Sequence, residues 1–374
     1  MDNEKSALDY AKMGADTLIR RFTVEKLPPE NRFHYHQGVF LAGMERVYLL
    51  SGEEKYGDYI KAWLDYYIDA AGTIRHNDSE VPQFDDMQPA VLLFNLYKKT
   101  QDERYKKALE QFVPAVEQWP TNAGGGFWHK YDCPNQMWLD TLYMIGPYSV
   151  MYARSFDKPY LYEKIYRQME VMRRNMTDPA TGLLYHAWDD SKTAAWADKT
   201  SGCSPVFWGR AIGWYAVAIQ EILDFLPENH RRRQAFINAG LDLINTLIRF
   251  QDEESGLWYQ VVNRGDDPQN WHEVSCSCLY TYAIAQALRK GVLHKSYARY
   301  IHKAYQGIIK TLAFKGDDII VPKICVGTGV GDYEFYLKRP TVQNDLHGMG
   351  AFLLMCTEYY LQTGGRCLTP GSFR

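Results

Sequence analysis

Apolar residues follow two different patterns along the chain, and the two patterns alternate. In the first pattern, apolar residues alternate with charged ones. For example, the apolar residues Tyr105, Ala108, Leu109 and Phe112 have the i, i+3, i+4, i+7 spacing of a helix with one solvent-exposed face. The segment from Tyr56 to Tyr67 is similar, as are the segments near residues 5–21, 158–176, 230–250 and 295–313. This pattern predicts six amphipathic helices.

The second pattern is apolar on every side. Its six segments carry at most one Asp, Glu, Lys or Arg each, and they span residues 33–44, 87–97, 137–153, 211–219, 276–288 and 346–357. A helix without a polar face must be buried all round. We therefore expect six buried helices that alternate with the six amphipathic ones.

The spacing of the buried segments indicates how these helices are arranged. Markers near their starts follow one another at steps of 50 to 70 residues, and these markers are His36, Asp86, Asp140, Arg210, Ser277 and Asp345. Such a period is typical of stacked helical hairpins. An open solenoid would expose part of each helix, so six nearly uncharged helices favour a closed double ring. The prediction is an all-α chain with one domain over residues 1–374, an (α/α)6 barrel of six inner and six outer helices.

Composition restricts the class of protein. The 374 residues carry a net charge of −3 with no basic stripe, which disfavours a nucleic-acid partner. No uncharged stretch reaches 18 residues, so no membrane span is expected, and the N-terminus lacks the apolar segment of a secretion signal. Seven cysteines, an odd number, fit a reducing cytoplasm better than a disulfide framework.

Four loops before inner helices repeat a glycine followed by aromatic or branched residues. They are Gly72–His76, Gly126–Lys130, Gly182–His186 and Gly256–Gln260. This composition suggests short strands or turns. All four would lie at the end of the barrel where the inner helices begin. Because loops on a rigid scaffold usually carry function, the functional site is expected there.

Asp140 is the strongest candidate for chemistry at that end. It is the only charged residue of the third buried segment and lies close to Trp138. A carboxyl in the first turn of a helix can simply stabilise the helix dipole. A carboxyl shielded from water also tends to have a raised pKa, which suits a general acid. Asp85 and Asp86 hold the equivalent place on the second inner helix, one as a candidate partner and the other as a helix cap.

Basic residues cluster in the same region of the sequence. Arg210 begins the fourth inner helix and needs an anionic neighbour, which could be a protein carboxylate or a substrate carboxylate. Five histidines precede or open inner helices, namely His34, His36, His129, His186 and His347. Zinc could in principle use the His34-x-His36 and Cys276-x-Cys278 pairs. The two cysteines, however, point to different faces of an apolar helix, so we expect no metal at the site.

Aromatic residues point to the kind of ligand. Six tryptophans lie in or beside the loops, namely Trp128, Trp138, Trp188, Trp208, Trp214 and Trp258. Flat apolar faces next to Asp, His and Arg are typical of sites that stack sugar rings, although some of these tryptophans would be core residues. No glycine-rich phosphate loop precedes a helix in a strand context, which disfavours a nucleotide cofactor.

Seven strings of residues, in order along nearly the whole chain, resemble the unsaturated rhamnogalacturonyl hydrolases, glycoside hydrolase family 105. They are Asn31–Phe40, Gly125–Lys130, Gln136–Asp140, Tyr185–Asp189, Gly202–Pro205, Arg210–Tyr215 and Asn344–Gly348. The barrel of that family agrees with the barrel expected from periodicity. One departure is Pro89, which follows Gln88 where the family has a small residue and which blurs the register around Asp85 and Asp86.

The resemblance implies a mechanism and a set of site residues. Asp140 would be general acid and base, and the substrate contacts would be Tyr35, Asp85, His129, Lys130, Trp138, His186, Arg210 and Trp214. The substrate would be an unsaturated rhamnogalacturonan disaccharide or short oligosaccharide, whose C4=C5 double bond is hydrated without any cofactor. Arg210 or Lys130 would pair with the substrate carboxylate.

Three other functions, two enzymatic and one not, stay open at this point. An inverting glycosidase acting on a saturated glycan would use Asp140 and Asp85 as separate acid and base, about 6.5–9.5 Å apart. An unsaturated glucuronyl hydrolase would share the hydration chemistry and differ in its subsites. A sugar-binding helical ring without catalysis is the non-enzyme alternative, and it gives no reason for a lone acid inside an apolar helix.

Overall fold

The computed structural model of the protein describes residues 5–75 and 83–367. Within these ranges the helices are α1 (Ala7–Arg21), α2 (Tyr35–Ser51), α3 (Glu54–Tyr67), α4 (Phe84–Met87), α5 (Val91–Thr100), α6 (Glu103–Glu110), α7 (Val113–Gln118), α8 (Asp140–Phe156), α9 (Tyr160–Met176), α10 (Gly209–Phe225), α11 (Arg233–Leu247), α12 (Val274–Arg289), α13 (Ala298–Thr311), α14 (Tyr333–Leu337) and α15 (Leu346–Gln362). The strands are β1 (Gln136–Trp138), β2 (Ala187–Asp189), β3 (Ala313–Lys315), β4 (Asp318–Ile320), β5 (Ile324–Cys325) and β6 (Thr341–Val342). They pair antiparallel as β1–β2, β3–β4 and β5–β6.

The inner helices form a closed ring. Going round it, α2 packs on the α4–α5 pair, which packs on α8, and α8, α10, α12 and α15 follow until α15 packs back on α2. Outside them lie α1, α3, α6 with α7, α9, α11 and α13. The predicted (α/α)6 barrel is thereby confirmed. The expectation of one domain over residues 1–374 includes residues outside the described ranges, so it stays a prediction.

Burial explains why the apolar segments are inside. Every residue of α12 from Val274 to Leu288 is buried, and so is every residue of α15 from Leu346 to Tyr359. In the outer helix α13, only Ile301, Ala304, Gly307 and Ile308 are buried, at the helical spacing of one face. None of the described helices combines the length and the apolar character that crossing a membrane requires.

Two inner segments differ from their predicted form. The segment predicted as one helix over 87–97 is interrupted by a 3-10 turn over Gln88–Ala90, because Pro89 has no N–H to donate. Met137, predicted to begin the third inner helix, lies instead in β1, where it pairs with Trp188 of β2. Helix α8 therefore begins at Asp140, which places this carboxyl at the first helical position.

The repeated loops share one turn with a corrected register. Gly72, Gly125, Gly182 and Gly256 all have φ between 76° and 87°, a conformation in which a Cβ is strained. Gly125, rather than the predicted Gly126, is therefore the counterpart of Gly182. With this register His129 and His186 become equivalent residues, four positions after their glycines. His76 of the first loop lies outside the described residues.

Candidate active site

A cavity of about 280 Å³ opens at the end of the barrel where the inner helices begin, which we call the loop mouth. Its lining residues are His34, Tyr35, Asp85, His129, Lys130, Trp138, Asp140, Met144, Gly327, Thr328 and Gly329. Six of the nine site residues expected from the sequence are in this set, and three are not: His186, Arg210 and Trp214. The cavity lies between the first turns of three inner helices and a glycine-rich loop that precedes α14.

Asp140 contacts a buried histidine at the cavity wall. Its Oδ2 lies 3.3 Å from Nε2 of His186, and neither atom has a well-aligned hydrogen bond, so we treat this as a close electrostatic contact. Burial raises the pKa of Asp140, but the contact with His186 and the charges of His186 and His129 outweigh burial and hold it below the usual value. The expectation of a raised pKa, based on apolar neighbours alone, is wrong because it omitted these imidazoles.

Tyr336 supports the histidine from behind. Its hydroxyl lies 2.6 Å from Nδ1 of His186, and both side chains are fully buried. Tyr336 belongs to α14, a short helix between the outer helix α13 and the inner helix α15. The two residues are 150 positions apart, and no local sequence signal links them. Tyr336 was therefore not among the residues expected from the sequence, although it restricts the orientation of the imidazole next to Asp140.

The structure distinguishes the two neighbouring aspartates. Asp85 lines the cavity, with Oδ2 3.3 Å from Nζ of Lys130 and 3.8 Å from Nε2 of His34. Burial raises the pKa of Asp85, but the charges of Lys130, His34 and His129 together outweigh burial and lower it overall. Asp86 instead accepts a hydrogen bond from the Gln83 N–H at 3.0 Å and caps α4, where burial raises its pKa to about 6. Asp85 is thus the cavity carboxyl, and Asp86 is structural.

Trp138 and His129 form a flat wall of the cavity. Their rings are stacked, with centroids 4.1 Å apart and planes within 13°. Nδ1 of His129 lies 2.8 Å from the Thr141 hydroxyl, and burial lowers the pKa of His129 to about 4. Of the six tryptophans expected at the loops, Trp138 alone lines the cavity. Four others are core residues at most 7% exposed, namely Trp188, Trp208, Trp214 and Trp258.

Arg210 supports the glycine-rich loop. It is 2% exposed, its guanidinium lies 4.6 Å above the Trp208 ring, and it donates hydrogen bonds to the carbonyl oxygens of Cys325 and Val326. The next residues of that strand and loop, Gly327 to Gly329, line the cavity. Backbone carbonyls therefore accept the hydrogen bonds of Arg210, while the charges of Glu273 and Asp345 act on it without a direct ion pair among the described residues. Its direct contact with substrate stays a prediction.

Two further differences concern residues next to the cavity. Trp214 is 1% exposed and stacks on Tyr143 at 4.8 Å in the barrel interior, so its predicted substrate contact also lacks support here. The loop Gly327–Gly329 was not predicted as part of the site. Arg339 holds it by donating to the Gly327 carbonyl and, at 3.1 Å, to the Thr328 hydroxyl. The alternation of Gly327, Gly329 and Gly331 in the sequence was the signal that could have indicated it.

A cavity carboxyl beside imidazoles, an aromatic wall and a helical barrel are features of a carbohydrate-processing hydrolase. Comparison with known proteins agrees. Residues 10–363 match Glycosyl Hydrolase Family 88, and the chain therefore belongs to this family and is a glycoside hydrolase with a carbohydrate substrate.

Individual relatives are consistent with this assignment. A solved glycoside hydrolase of family 105 from Clostridium acetobutylicum ATCC 824 is 34% identical, with a TM-score of 0.90 over 94% of this chain and 99% of that one. The unsaturated rhamnogalacturonyl hydrolase YesR of Bacillus subtilis is 29% identical over 91% of this chain and 94% of its own. The unsaturated glucuronyl hydrolase of Bacillus sp. GL1, at 12% identity and a TM-score of 0.69 over 96% and 97% of the chains, shares the fold.

Proposed function

We propose that this glycoside hydrolase hydrates the C4=C5 double bond of an unsaturated galacturonyl residue at the non-reducing end of a rhamnogalacturonan oligosaccharide. The observation that carries the proposal is the different state of the two cavity carboxyls. Asp85 is engaged by Lys130 and His34, whereas Oδ2 of Asp140 has only its contact with His186. A single available carboxyl suits a reaction in which one group first gives and then takes a proton.

The reaction proceeds in two proton transfers at Asp140. The carboxyl protonates C4 of the vinyl ether, and positive charge develops on C5 and the ring oxygen. The carboxylate then removes a proton from a water molecule whose oxygen bonds to C5, which restores the acid. The C5 hemiketal opens to a ketone and leaves a hemiacetal at C1. Collapse of that hemiacetal releases a rhamnose-ended product and a 4-deoxy keto sugar acid, so one water is consumed overall.

The proposal requires Asp140 to be protonated when the reaction starts. A uronate substrate brings a second negative charge and displaces water from the cavity, and both effects raise the pKa of a neighbouring carboxyl. The neighbouring imidazoles of His186 and His129 lower it, as described above. We therefore expect substrate binding to be accompanied by proton uptake at Asp140.

The galacturonyl and rhamnose parts of the proposal are supported by the named relative YesR and by the chemistry of the cavity wall. Among the described residues that line the cavity, Lys130 is the sole Lys or Arg, and it is positioned to pair with a uronate carboxylate. The stacked pair of Trp138 and His129 offers a flat face to a sugar ring. We assign Lys130, rather than Arg210, to the substrate carboxylate.

The test follows the ultraviolet band of the conjugated alkene while purified protein acts on two substrates. One is a digest made by a rhamnogalacturonan lyase, and the other is an unsaturated glucuronyl disaccharide mixture. Loss of the band on the first digest by wild type, but not by Asp140→Asn, supports the proposal, and faster loss on the second favours a glucuronyl substrate. In D2O, the product should carry one deuterium at C4. A product without deuterium, or turnover of saturated oligosaccharides only, would contradict hydration.

We also propose that the protein acts in the cytoplasm. All seven cysteines are free thiols in the structure, and four of them belong to the inner helices or the strand that Arg210 holds, namely Cys276, Cys278, Cys325 and Cys356. Unpaired thiols in this number are typical of a reducing compartment. Activity found in the secreted fraction of the source cells would contradict this location.

A further inference from the structure

A second cluster of potential ligands lies beside the catalytic cavity but does not line it. It consists of His36, Asp345 and His347, whose nitrogen and carboxylate ligand atoms all lie within 4.8 Å of one another. His36 is in the first turn of α2, Asp345 is the N-cap of α15, and His347 is in the first turn of α15. The mechanism proposed above uses none of these three residues.

The hydrogen bonding of His347 defines which of its nitrogens is available. Nε2 lies 3.1 Å from the Cys325 carbonyl oxygen, which can only accept, so Nε2 carries a proton. In the neutral ring Nδ1 then presents its lone pair, and this atom lies 2.7 Å from Oδ1 of Asp345. The lone pairs of Nδ1 and Oδ1 repel each other at this distance unless a proton or a metal ion lies between the two atoms.

A proton on Nδ1 of His347 would satisfy His347 and Asp345 but would leave His36 without a partner for its Nε2. Nε2 of His36 is also buried, and it has no hydrogen-bond partner among the described residues. Protonation of His347 leaves this atom unsatisfied, which is costly for a buried polar group. A metal ion bound to both imidazoles and to the carboxylate satisfies all three atoms at once.

The geometry agrees with that of a metal site. Two donors about 2.1 Å from one tetrahedral ion are about 3.4 Å apart, so small side-chain shifts from the 2.7 Å between His347 and Asp345, within a cluster no wider than 4.8 Å, bring the three ligand atoms around one ion. The bond from the other nitrogen of His347 to a backbone carbonyl is the usual outer contact of a ligating histidine. Two imidazoles and one carboxylate also match the donor set of sites that leave further positions open for water.

The charge around the cluster restricts the kind of ion. The positive charge of Arg210 acts on both His36 and Asp345, and the site offers a single carboxylate. Calcium and magnesium require mostly oxygen ligands, so they are disfavoured. Zinc and neighbouring transition metals bind imidazole strongly. We propose that His36, Asp345 and His347 bind one divalent transition-metal ion, with Zn²⁺ as the reference ion.

The place of this site in the fold indicates its effect. Helices α2 and α15 are the first and the last inner helices, so the ion would join the two ends of the ring where it closes. An ion that binds the folded chain alone raises its stability with the logarithm of the free metal concentration. His36 and Asp345 are partly exposed, which leaves a route for the ion to enter.

The experiment measures Zn²⁺ binding calorimetrically with the chelator-treated full-length chain. A Cys133→Ser, Cys367→Ser background removes the two partly exposed thiols, which could bind zinc on their own. The expected result is one ion per chain and a melting temperature that rises with zinc. His36→Gln should weaken binding by about 100-fold or more, because loss of an outer contact alone costs 10–100-fold. Co²⁺ should give visible absorption that the same variant abolishes.

A matched control tests whether Zn²⁺ binding requires the three-residue cluster or occurs at any histidine next to an aspartate. Nε2 of His272 lies 3.5 Å from Oδ2 of Asp252, and no third His, Cys, Asp or Glu ligand joins this pair within residues 5–75 and 83–367. His272→Gln should therefore leave the stoichiometry and affinity unchanged. His36 is half-buried and lies outside the hydrophobic core, so the melting temperature of the His36→Gln variant without metal should match that of wild type. Absence of binding in wild type, or binding that survives both His36→Gln and Asp345→Asn, would overturn the proposal whatever the catalytic activity.

Discussion

The two ends of the barrel both carry charged side chains but arrange them differently. At the opposite mouth, where the inner helices end, Arg46 and Arg289 both contact the fully buried Glu358, and Lys290 lies 2.8 Å from Asp224. A cavity of about 120 Å³ there is lined by residues from all six inner helices. At the loop mouth, by contrast, Asp140 meets one imidazole and otherwise faces the cavity.

The difference follows from the direction of the inner helices. Helix N-termini carry partial positive charge and C-termini partial negative charge, so carboxylates are favoured at the loop mouth and cations at the opposite mouth. At the opposite mouth, Arg46, Arg289 and Lys290 form ion pairs that join inner helices. Loops and α14 fold over the loop mouth and leave one carboxyl available. Charged residues alone therefore do not mark the active end.

The largest effect is expected for Asp140→Asn. Because this group performs both proton transfers in the proposed reaction, we expect kcat to fall by about 10³–10⁴-fold with little change in folding. Glu221→Gln is the matched control, since Glu221 is an acid of an inner helix that lines the cavity of the opposite mouth. That variant should retain near-normal kcat. Comparable losses in the two variants would mean that the loop mouth is not the catalytic end.

The second effect concerns stability at the opposite mouth. Glu358→Gln leaves Arg46 and Arg289 without their shared carboxylate, and breaking a buried pair costs about 3–5 kcal/mol. We expect a lower free energy of unfolding in urea, with a normal kcat for the fraction that remains folded. A large loss of kcat at full stability would instead connect the opposite mouth to catalysis.

The third prediction concerns the pH dependence of kcat. His186→Gln removes the contact and the charge that lower the pKa of Asp140, so burial dominates and that pKa rises. A reaction that needs protonated Asp140 loses rate as pH increases through this pKa. The descending limb of the kcat profile should therefore move to higher pH, while the maximal kcat falls by about 10²-fold. A limb that moves to lower pH would contradict the role of Asp140 as the acid.

The smallest effect is expected for Tyr336→Phe. It removes the hydroxyl that contacts His186, and a hydrogen bond of about 1 kcal/mol corresponds to roughly 5-fold in kcat with little change in KM. Tyr148→Phe is the control, because Tyr148 is equally buried and donates to the Leu109 carbonyl away from the cavity. Equal losses of stability but a fall of kcat in Tyr336→Phe alone would establish Tyr336 as a positioning residue.

The sequence by itself determined the helical ring and singled out Asp140 as the candidate acid. Apolar periodicity is a local property, and α12 and α15 are buried along nearly their whole length as their uncharged sequences predict. Asp140 could be identified because a single charged residue in an otherwise apolar segment is costly to bury and is therefore expected to have a specific role. The repeated glycine loops also predicted which end of the barrel carries the site, because they precede the inner helices.

Tertiary structure decided how the side chains at that end are used. Asp85 and Asp86 are adjacent in sequence, yet one faces the cavity and the other caps α4. Arg210 is bound by backbone carbonyls more than 100 residues away, and Tyr336 reaches His186 from α14. Such contacts depend on how loops fold over the ends of the helices. Local periodicity carries no information on that, because the same residue types suit a core, a cap or a site.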